Sequence, residues 1–545
     1  MLPATTDDYP EQLEKVLRLI LDSESPKKLI VAGPGTGKTT LFRRILEIAA
    51  GDHTTRLVLT FLNNLKKELE EKLSELARVY TFHGYCHFLL RRRAELRGGL
   101  TNNFVYFPGL ASTIKEDWGL STSDETPKFI GLMRELQDGD HTAFYLKRAN
   151  YYDAVEFDDS VFRVRNALAS NPDLVDRHDL VLVDEYQDFN RLEASFIDLL
   201  AAKSPITIVG DDDQALYSQL RNSTHEFIRH LHQSGEYERF ELPFCMRCPE
   251  AVVGAIDDII SAAQRIDRLQ GRIEKPYQYF PPVKETDSKR YPVIKIVSTS
   301  TQQSRANYMG KYIGDAIRHI PPEEIEESRR DSFPSALIIG PAHYLRQVAE
   351  HLAGEGFKLD VREDTGSSGL DRRDGLRLLK SNPKSNLGWR VMLGVDRPRW
   401  RMKAIRQSLK ESHALVEILP SEYSETILDE VKQWSEEVIA AGVDEVGDIT
   451  QPTVKMTSFE GSKGLSAQHV FILGLQEGDL QRDAANISDL EICKFVVALT
   501  RTRKQCQIIY TWRFGGNAKR PSLFLDWIAT SRKEMVTVNK AHWCN

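Results

Sequence analysis

The strand-like run Leu29-Ile-Val-Ala32 leads into Ala32-Gly-Pro-Gly-Thr-Gly-Lys38-Thr39, and the helical stretch TTLFRRILEIA follows. This is a P-loop in its Ala/Gly-x4-Gly-Lys-Ser/Thr form, in the strand–loop–helix setting that the motif requires. Gly33, Gly35 and Gly37, with Pro34 and Thr36 between them, let the backbone wrap closely around phosphate oxygens. The helix that opens at Thr39-Thr40 adds unsatisfied N–H groups and a favourable dipole. Lys38 is placed to neutralise the β and γ phosphates of a nucleoside triphosphate, and the Thr39 hydroxyl to hold Mg²⁺. A chance glycine-rich turn would not come with the strand, the Lys-Thr pair and the helix together.

The second chemical element is Val181-Leu-Val-Asp184-Glu185, an apolar strand that delivers two carboxylates. Asp184 suits a Mg²⁺-holding role and Glu185 the activation of water. A helix N-cap with acidic first-turn residues is the plain alternative for this pair taken alone. With a P-loop upstream, the two motifs read together as an NTPase.

Positioning these groups calls for parallel α/β domains, in which ligands bind at the carboxyl ends of the strands. Leu29–Ala32, Arg56–Phe61, Leu180–Val183 and Ile206–Val209 read as buried strands of a first domain, each ending at polar or glycine-rich residues. Leu62–Leu76 reads as an amphipathic helix, with Leu62, Leu65, Leu69 and Leu73 on one face. Ala336–Ile339 and Val454–Thr457 read as strands of a second domain, and Phe495–Leu499 also has strand length. Each domain is interrupted. The expected division is 1–90 and 153–242 for the first α/β domain, with a helical insertion at 91–152. The second takes 243–369 and 451–545, with a short helical insertion at 370–450. Within the latter insertion lies the basic run Arg397–Lys410, which contains Trp400 and reads equally as a duplex or partner contact and as a solvated helix face. Lys275–Arg290, rich in Pro, Lys and Tyr, reads as a surface excursion.

Composition narrows the class. The chain has 545 residues, too many for one ordinary core, with 41% hydrophobic and 28% charged residues, as in globular proteins. No apolar run approaches a membrane span, and the acidic start MLPATTDDYPEQ has no secretory pattern. Six scattered cysteines form no disulfide framework, so a reducing cytoplasm is expected and no membrane partner. A net charge of −7 removes bulk attraction to nucleic acid as an argument while leaving room for a local basic groove. Cys245-x-x-Cys248 has no second pair at zinc spacing, so a metal site there is not expected.

Further motifs carry a resemblance. Thr60-Phe-Leu-Asn63-Asn, Thr81-Phe-His83, Asp184-Glu-Tyr-Gln187-Asp188, Gly210-Asp-Asp-Asp-Gln214-Ala-Leu-Tyr217, Leu242-Pro-Phe-Cys-Met-Arg247, Ser458-Phe-Glu-Gly-Ser-Lys463-Gly464-Leu465 and Val497-Ala-Leu-Thr500-Arg501 follow the P-loop in order. This series resembles the UvrD/Rep/PcrA branch of superfamily 1 DNA helicases over nearly the whole chain. The resemblance implies two tandem RecA-like domains, each with a helical insertion, and ATP with Mg²⁺ held by Thr39 and Asp184. It implies translocation along single-stranded DNA in the 3′–5′ direction, with tailed duplex DNA as a further substrate. Lys38, Asp184, Glu185 and Gln214 would be catalytic, with Arg247 and Arg501 as arginine fingers from the second domain. Gln12, Gln187 and Gly464 would join the P-loop around ATP. Phe61 and Tyr217 would stack on bases, with Asn63 and His83 on sugar or phosphate. Core packing is the plain alternative for the two aromatics, and a surface ion pair for each arginine.

The pattern also departs from the family. Met246 stands where an adenine-stacking Tyr is usual, Glu460 where His is common and Ser466 where a ribose-binding Glu is usual. The run Ser-Gln219-Leu220-Arg221 lacks the second aromatic expected after Tyr217. These departures and the short insertions make translocation a safer expectation than processive unwinding. They also keep a second function in view, a DNA-sensing ATPase subunit of a larger repair or nuclease-associated defence complex. A P-loop kinase or GTPase would need other downstream motifs.

Overall fold

The computed structural model describes residues 8–61, 63–125, 127–217, 221–299, 308–361, 371–410, 413–434, 451–483, 485–514 and 517–543. Two parallel sheets organise the chain. The first contains β1 (Lys27–Ala32), β2 (Arg56–Thr60), β3 (Arg78–Thr81), β4 (Leu180–Val183), β5 (Ile206–Gly210) and β6 (Glu238–Leu242), in the order β3-β2-β4-β5-β1-β6. The second contains β7 (Ile294–Thr299), β8 (Ala336–Ile339), β9 (Leu359–Val361), β10 (Val454–Thr457), β11 (Ala467–Leu473), β12 (Thr502–Thr511) and β13 (Lys533–Val538), in the order β9-β10-β8-β11-β12-β7-β13. The expected pair of RecA-like α/β domains with helical insertions is the fold the chain adopts.

Continuous apolar strands arise because helices cover both faces of each sheet. Leu29, Val31, Leu57, Leu59, Val181 and Val183 enter one hydrophobic core, while Ile30, Ala32, Val58 and Leu182 enter the core on the opposite face. The second sheet divides in the same alternating way, with Leu337 and Ile339 on one side and Ala336 and Ile338 on the other.

Three local expectations change. Phe495–Leu499 is the end of the helix Asp489–Leu499, and all five residues are buried. Burial on every side hides helical periodicity, so a short apolar run cannot declare its own secondary structure. Leu62–Leu76 becomes the helix Asn63–Leu73, closed by a turn in which Leu76 N–H donates to the Leu73 carbonyl; Leu69 and Leu73 are buried, and Leu62 lies outside the described residues. Lys275–Arg290, expected as a surface excursion, is anchored at its start, while the helix Pro281–Arg290 that ends it keeps residues such as Val283 exposed. The Lys275 ammonium is 2.8 Å from carboxylate oxygens of Asp211, Asp212 and Asp213, and the Tyr277 hydroxyl donates to the Pro34 carbonyl at 2.9 Å. A segment that must neutralise three buried carboxylates cannot leave the surface they sit beneath.

The insertions lie against each other. Helices Leu110–Ser121 and Asp140–Tyr152 interrupt the first sheet, and Asn386–Asp396 and Arg401–Lys410 interrupt the second. Arg401–Lys410, from the basic run, turns Ala404, Ile405 and Ser408 inward, and Arg406 Nε donates to the Leu120 carbonyl at 3.2 Å. Between the insertions Asp117, fully buried, receives Arg148 Nε at 2.9 Å, Arg390 Nε at 3.0 Å and the Tyr152 hydroxyl at 2.6 Å. Among the described residues no helix is long and apolar enough to cross a membrane.

Candidate nucleotide cleft and nucleic-acid surface

All strands of the first sheet run parallel, so the ends of β1, β4 and β5 open on one edge. From β1 the chain turns through Gly35 and Gly37, at φ 73° and 89°, into the helix Lys38–Ile48. Both values lie in the left-handed region that a side chain disfavours. From β4 it reaches Asp184 and then Glu185, itself at φ 55°. A non-glycine residue held there costs on the order of 1–3 kcal/mol, and such strain clusters at functional sites.

Residues of both domains line a cleft of about 290 Å³, including Lys38, Thr39, Asp184, Gln214, Arg247 and Arg501. The Lys38 ammonium donates to Glu185 Oε1 at 2.5 Å. Burial raises the Asp184 carboxyl above its usual range; the Lys38 charge opposes this and the Glu185 charge adds to it. Burial also works to raise Glu185, but Lys38 and Lys463 outweigh it and hold that carboxyl below the ordinary value. One carboxylate of the pair thus stays firmly ionised while its neighbour is easier to protonate.

The second domain enters this site deeply. Lys463, 2% exposed, meets Asp188 Oδ2 at 2.5 Å and donates to the Gln214 carbonyl at 2.7 Å. Arg501 donates to Gln214 Oε1 at 3.4 Å and to the Leu465 carbonyl at 3.2 Å. Burial and the adjacent Arg247 pull the Arg501 guanidinium down to about 10, still cationic at neutral pH. Arg247 donates to the Thr500 carbonyl at 3.3 Å, and Met246 N–H to the Gly35 carbonyl at 2.9 Å. Gln187 donates to Glu185 Oε2 at 2.6 Å and accepts the Asp211 N–H at 2.9 Å, joining the ends of β4 and β5.

The other expected nucleotide residues are distributed as follows. Pro34, Gly35, Gly37, Thr40 and Gly464 line the cleft. Ala32, Gly33 and Thr36 are buried, Thr36 donating to the Gly33 carbonyl at 2.8 Å. Gln12 is exposed on the helix Asp8–Asp22 and is not among the cleft-lining residues. Hard oxygen donors suit Mg²⁺, and the Thr39 hydroxyl and Asp184 carboxylate face the same cleft. The acidic triple Asp211–Asp213 is neutralised by Lys275, Arg272 and Arg229.

An aromatic group adjoins the cleft. Phe61 is 5% exposed, 5.3 Å from the Tyr217 ring and 4.3 Å beneath the Arg221 guanidinium. Tyr217 is half-buried and donates to the Glu460 carbonyl at 3.2 Å, bridging to the second domain. His83 is 3.1 Å from Arg221, and burial followed by the Arg221 charge lowers it to about 3, so the ring is neutral near pH 7. Asn63 opens the helix after β2, and Ser218–Leu220 lie outside the described residues.

Sequence reasoning passed over several neighbours. Phe157, 44% exposed, stands 5.1 Å from His83 and 4.8 Å from Tyr106, which is 37% exposed. The sequence signal at Phe157 is an aromatic before two aspartates at a helix start; Tyr106 carries none. Lys463 sat within a quoted motif without a role, and Tyr277 was read as surface.

The chain is similar in sequence to known proteins. Residues 18–219 match a family model described as an AAA domain. The chain is 30% identical to ATP-dependent DNA helicase UvrD1 of Mycobacterium leprae over 40% of its own length and 36% of the relative's. It is 20% identical to a probable DNA helicase II homolog of Mycoplasma genitalium over 94% of the chain and 86% of that protein. It is 26% identical to ATP-dependent DNA helicase PcrA of Staphylococcus aureus over 35% of the chain and 32% of the relative. The matched region therefore spans little more than a third of UvrD1 and a third of PcrA.

Proposed function

We propose that this chain is a member of the UvrD/Rep/PcrA-like superfamily 1 helicases, to which it is similar, and is an ATP-driven motor that translocates 3′–5′ along single-stranded DNA. The observation that carries the reading is a cleft walled by both domains, in which Arg501 reaches Gln214 beside Lys38 and Asp184. In this reading residues 1–90 and 153–242 form the first motor domain and 243–369 and 451–545 the second. The insertions are 91–152 and 370–450, and the protein works in the cytoplasm.

Phosphoryl transfer is catalysed by positioning and by cations that meet charge on the γ-phosphate. Lys38 grips the phosphates, and a γ-phosphate competes with Glu185 for its ammonium. Glu185, freed of that pair and still held by Gln187, orients the attacking water. Thr39 and Asp184 would hold Mg²⁺, which supplies charge neutralisation across the β and γ phosphates. Arg247 and Arg501 close on the γ-phosphate from the second domain, so bound nucleotide draws the domains together and hydrolysis releases them. Gln187 and Gln214 link this change to Tyr217. Gln12 would have to reach the base from its helix, and Met246 would pack against it.

The DNA track runs over Tyr217, with Phe61 packed beneath it and Arg221, to His83 and Asn63, and the exposed rings of Phe157 and Tyr106 extend it. Base stacking on aromatics tolerates any sequence and is worth about 1–3 kcal/mol per base. Tyr217→Ala and Phe157→Ala are each expected to weaken single-stranded DNA binding by an amount in that range, read by fluorescence anisotropy with a labelled oligonucleotide. Unchanged affinity in both variants would remove these rings from the track.

The primary test is steady-state ATP hydrolysis with and without single-stranded DNA. Strong stimulation supports a motor, whereas indifference to DNA and RNA favours the DNA-sensing ATPase of a larger complex. The buried Asp117–Arg148–Arg390 contact between the insertions speaks for that second reading, because it holds both in one arrangement. Strand displacement from a 3′-tailed duplex by the purified chain separates the two, and a nuclease or a repair or defence protein is the partner class the second implies.

A further inference from the structure

Two thiols flank Arg247 in the turn that joins the domains, and the nucleotide mechanism uses neither. Cys245 and Cys248 are fully buried, and Cys248 N–H donates to Cys245 Sγ at 3.4 Å. The Cys248 thiol donates to the Thr500 carbonyl at 3.6 Å, the same oxygen that receives Arg247. The turn also lies hard against the P-loop. A Cβ on Gly35 would be 2.5 Å from the Arg247 Cβ and 3.2 Å from Cys245 Sγ. Any rearrangement of the two sulfurs must therefore move Arg247 relative to the phosphate loop and to Thr500-Arg501.

We propose that Cys245 and Cys248 are a reversible dithiol–disulfide pair whose oxidation withdraws Arg247 from the nucleotide cleft. The consequence for hydrolysis rests on the role of Arg247 given above; formation of the pair does not. Burial works to raise the Cys245 thiol, but contacts with the Cys248 and Tyr277 side chains and with backbone N–H groups outweigh it and bring the thiol below its ordinary value. Burial and Cys245 keep the Cys248 thiol high. This asymmetry marks Cys245 as the attacking sulfur and Cys248 as the resolving one.

The oxidant is a small organic disulfide. The Cys245 thiolate attacks one of its sulfurs, forms a mixed disulfide and expels one thiolate. The Cys248 sulfur then attacks Cys245, closes the intramolecular bond and expels the second. The protein gives up two electrons and two protons, and the reagent becomes two thiols. Met246 and Arg247, between the cysteines, line the cleft, so the reagent reaches the pair when the domains part and bound nucleotide shields it.

The test treats the full chain with bis(2-hydroxyethyl) disulfide, with and without ADP, and follows peptide mass after alkylation together with ATP hydrolysis. A 245–248 disulfide is expected, slowed by ADP and reversed by dithiothreitol. Misplacing a catalytic group by about 1 Å can cost a hundredfold in rate, so a fall on the order of tenfold or more is expected to accompany it. Cys245→Ser and Cys248→Ser should hydrolyse ATP normally before treatment. Cys245→Ser should resist the reagent, whereas Cys248→Ser should stop at a mixed adduct on Cys245, with Cys86, Cys493 and Cys506 still present as internal controls. In the unsubstituted chain, mixed adducts only, disulfides elsewhere, or a 245–248 bond that leaves hydrolysis unchanged would each overturn the proposal. If the reduced chain hydrolyses no ATP at all, the motor reading falls, and peptide mass with ADP protection still decides the pair.

Discussion

Arg501→Ala is expected to reduce DNA-stimulated ATP hydrolysis by about 10³-fold or more, the scale on which an arginine finger acts. Arg501 is 3% exposed, lies beside Arg247 and reaches Gln214 from the second domain. Arg501→Lys should not rescue the rate, because a point charge on a flexible stem does not reproduce the planar fork held by Val497, Thr500 and Leu465. Lys38→Ala should cause a comparable loss from the opposite wall, and it should also weaken nucleotide binding. Arg501→Ala should leave binding largely intact, since its contribution falls on the transition state. Single-turnover hydrolysis beside equilibrium binding of a fluorescent nucleotide reads both effects. Losses below tenfold in both variants, with the fold intact by circular dichroism, would contradict a cleft shared between the domains.

Asp117→Ala is expected to cost about 3–5 kcal/mol of stability, because it leaves buried Arg148 without a carboxylate and buried Arg390 with only the exposed Glu116. Asp117 is fully buried, and Arg148 and Arg390 keep only 5% and 1% of their side chains exposed. Arg390 also meets Glu116 at 2.9 Å, and Arg148 Nη1 donates to the Ser408 carbonyl at 3.3 Å, so the cluster ties both insertions together. Replacing the whole group, as in Asp117→Leu with Arg148→Met and Arg390→Met, should recover most of the loss, since a buried ion cluster gains little over apolar packing of similar volume. Urea unfolding together with limited proteolysis at the insertions tests this. A loss under about 1 kcal/mol for the single variant would place the cluster among exposed pairs of little energetic weight.

The candidate nucleotide site is legible in the residues because its chemistry is local. A P-loop is one strand, one turn and one helix start, and Gly35 and Gly37 announce the left-handed turn wherever the rest of the chain goes. The same holds for Asp184-Glu185 at the end of an apolar strand. The two-domain fold was legible for a related reason: strands buried on both faces must be apolar throughout, and turn residues mark their ends.

What the residues alone could not state was who neutralises whom across the chain. Lys275 and Tyr277 carry no local sign of burial, yet the fold sets one over Asp211–Asp213 and the other on Pro34. Phe495–Leu499 had strand length and became helix because burial all round erases periodicity. Arg148 and Arg390, 242 positions apart in the chain (390 − 148), share one carboxylate only because two insertions from different domains dock. Short-range sterics and hydrogen bonding are written in neighbouring residues, and so the sequence by itself determined the phosphate loop, the acidic strand end and the paired α/β architecture. Burial and charge pairing depend on which distant segments meet, and only the tertiary structure decided the Lys463 and Arg501 contacts, the Asp117 cluster and the thiols around Arg247.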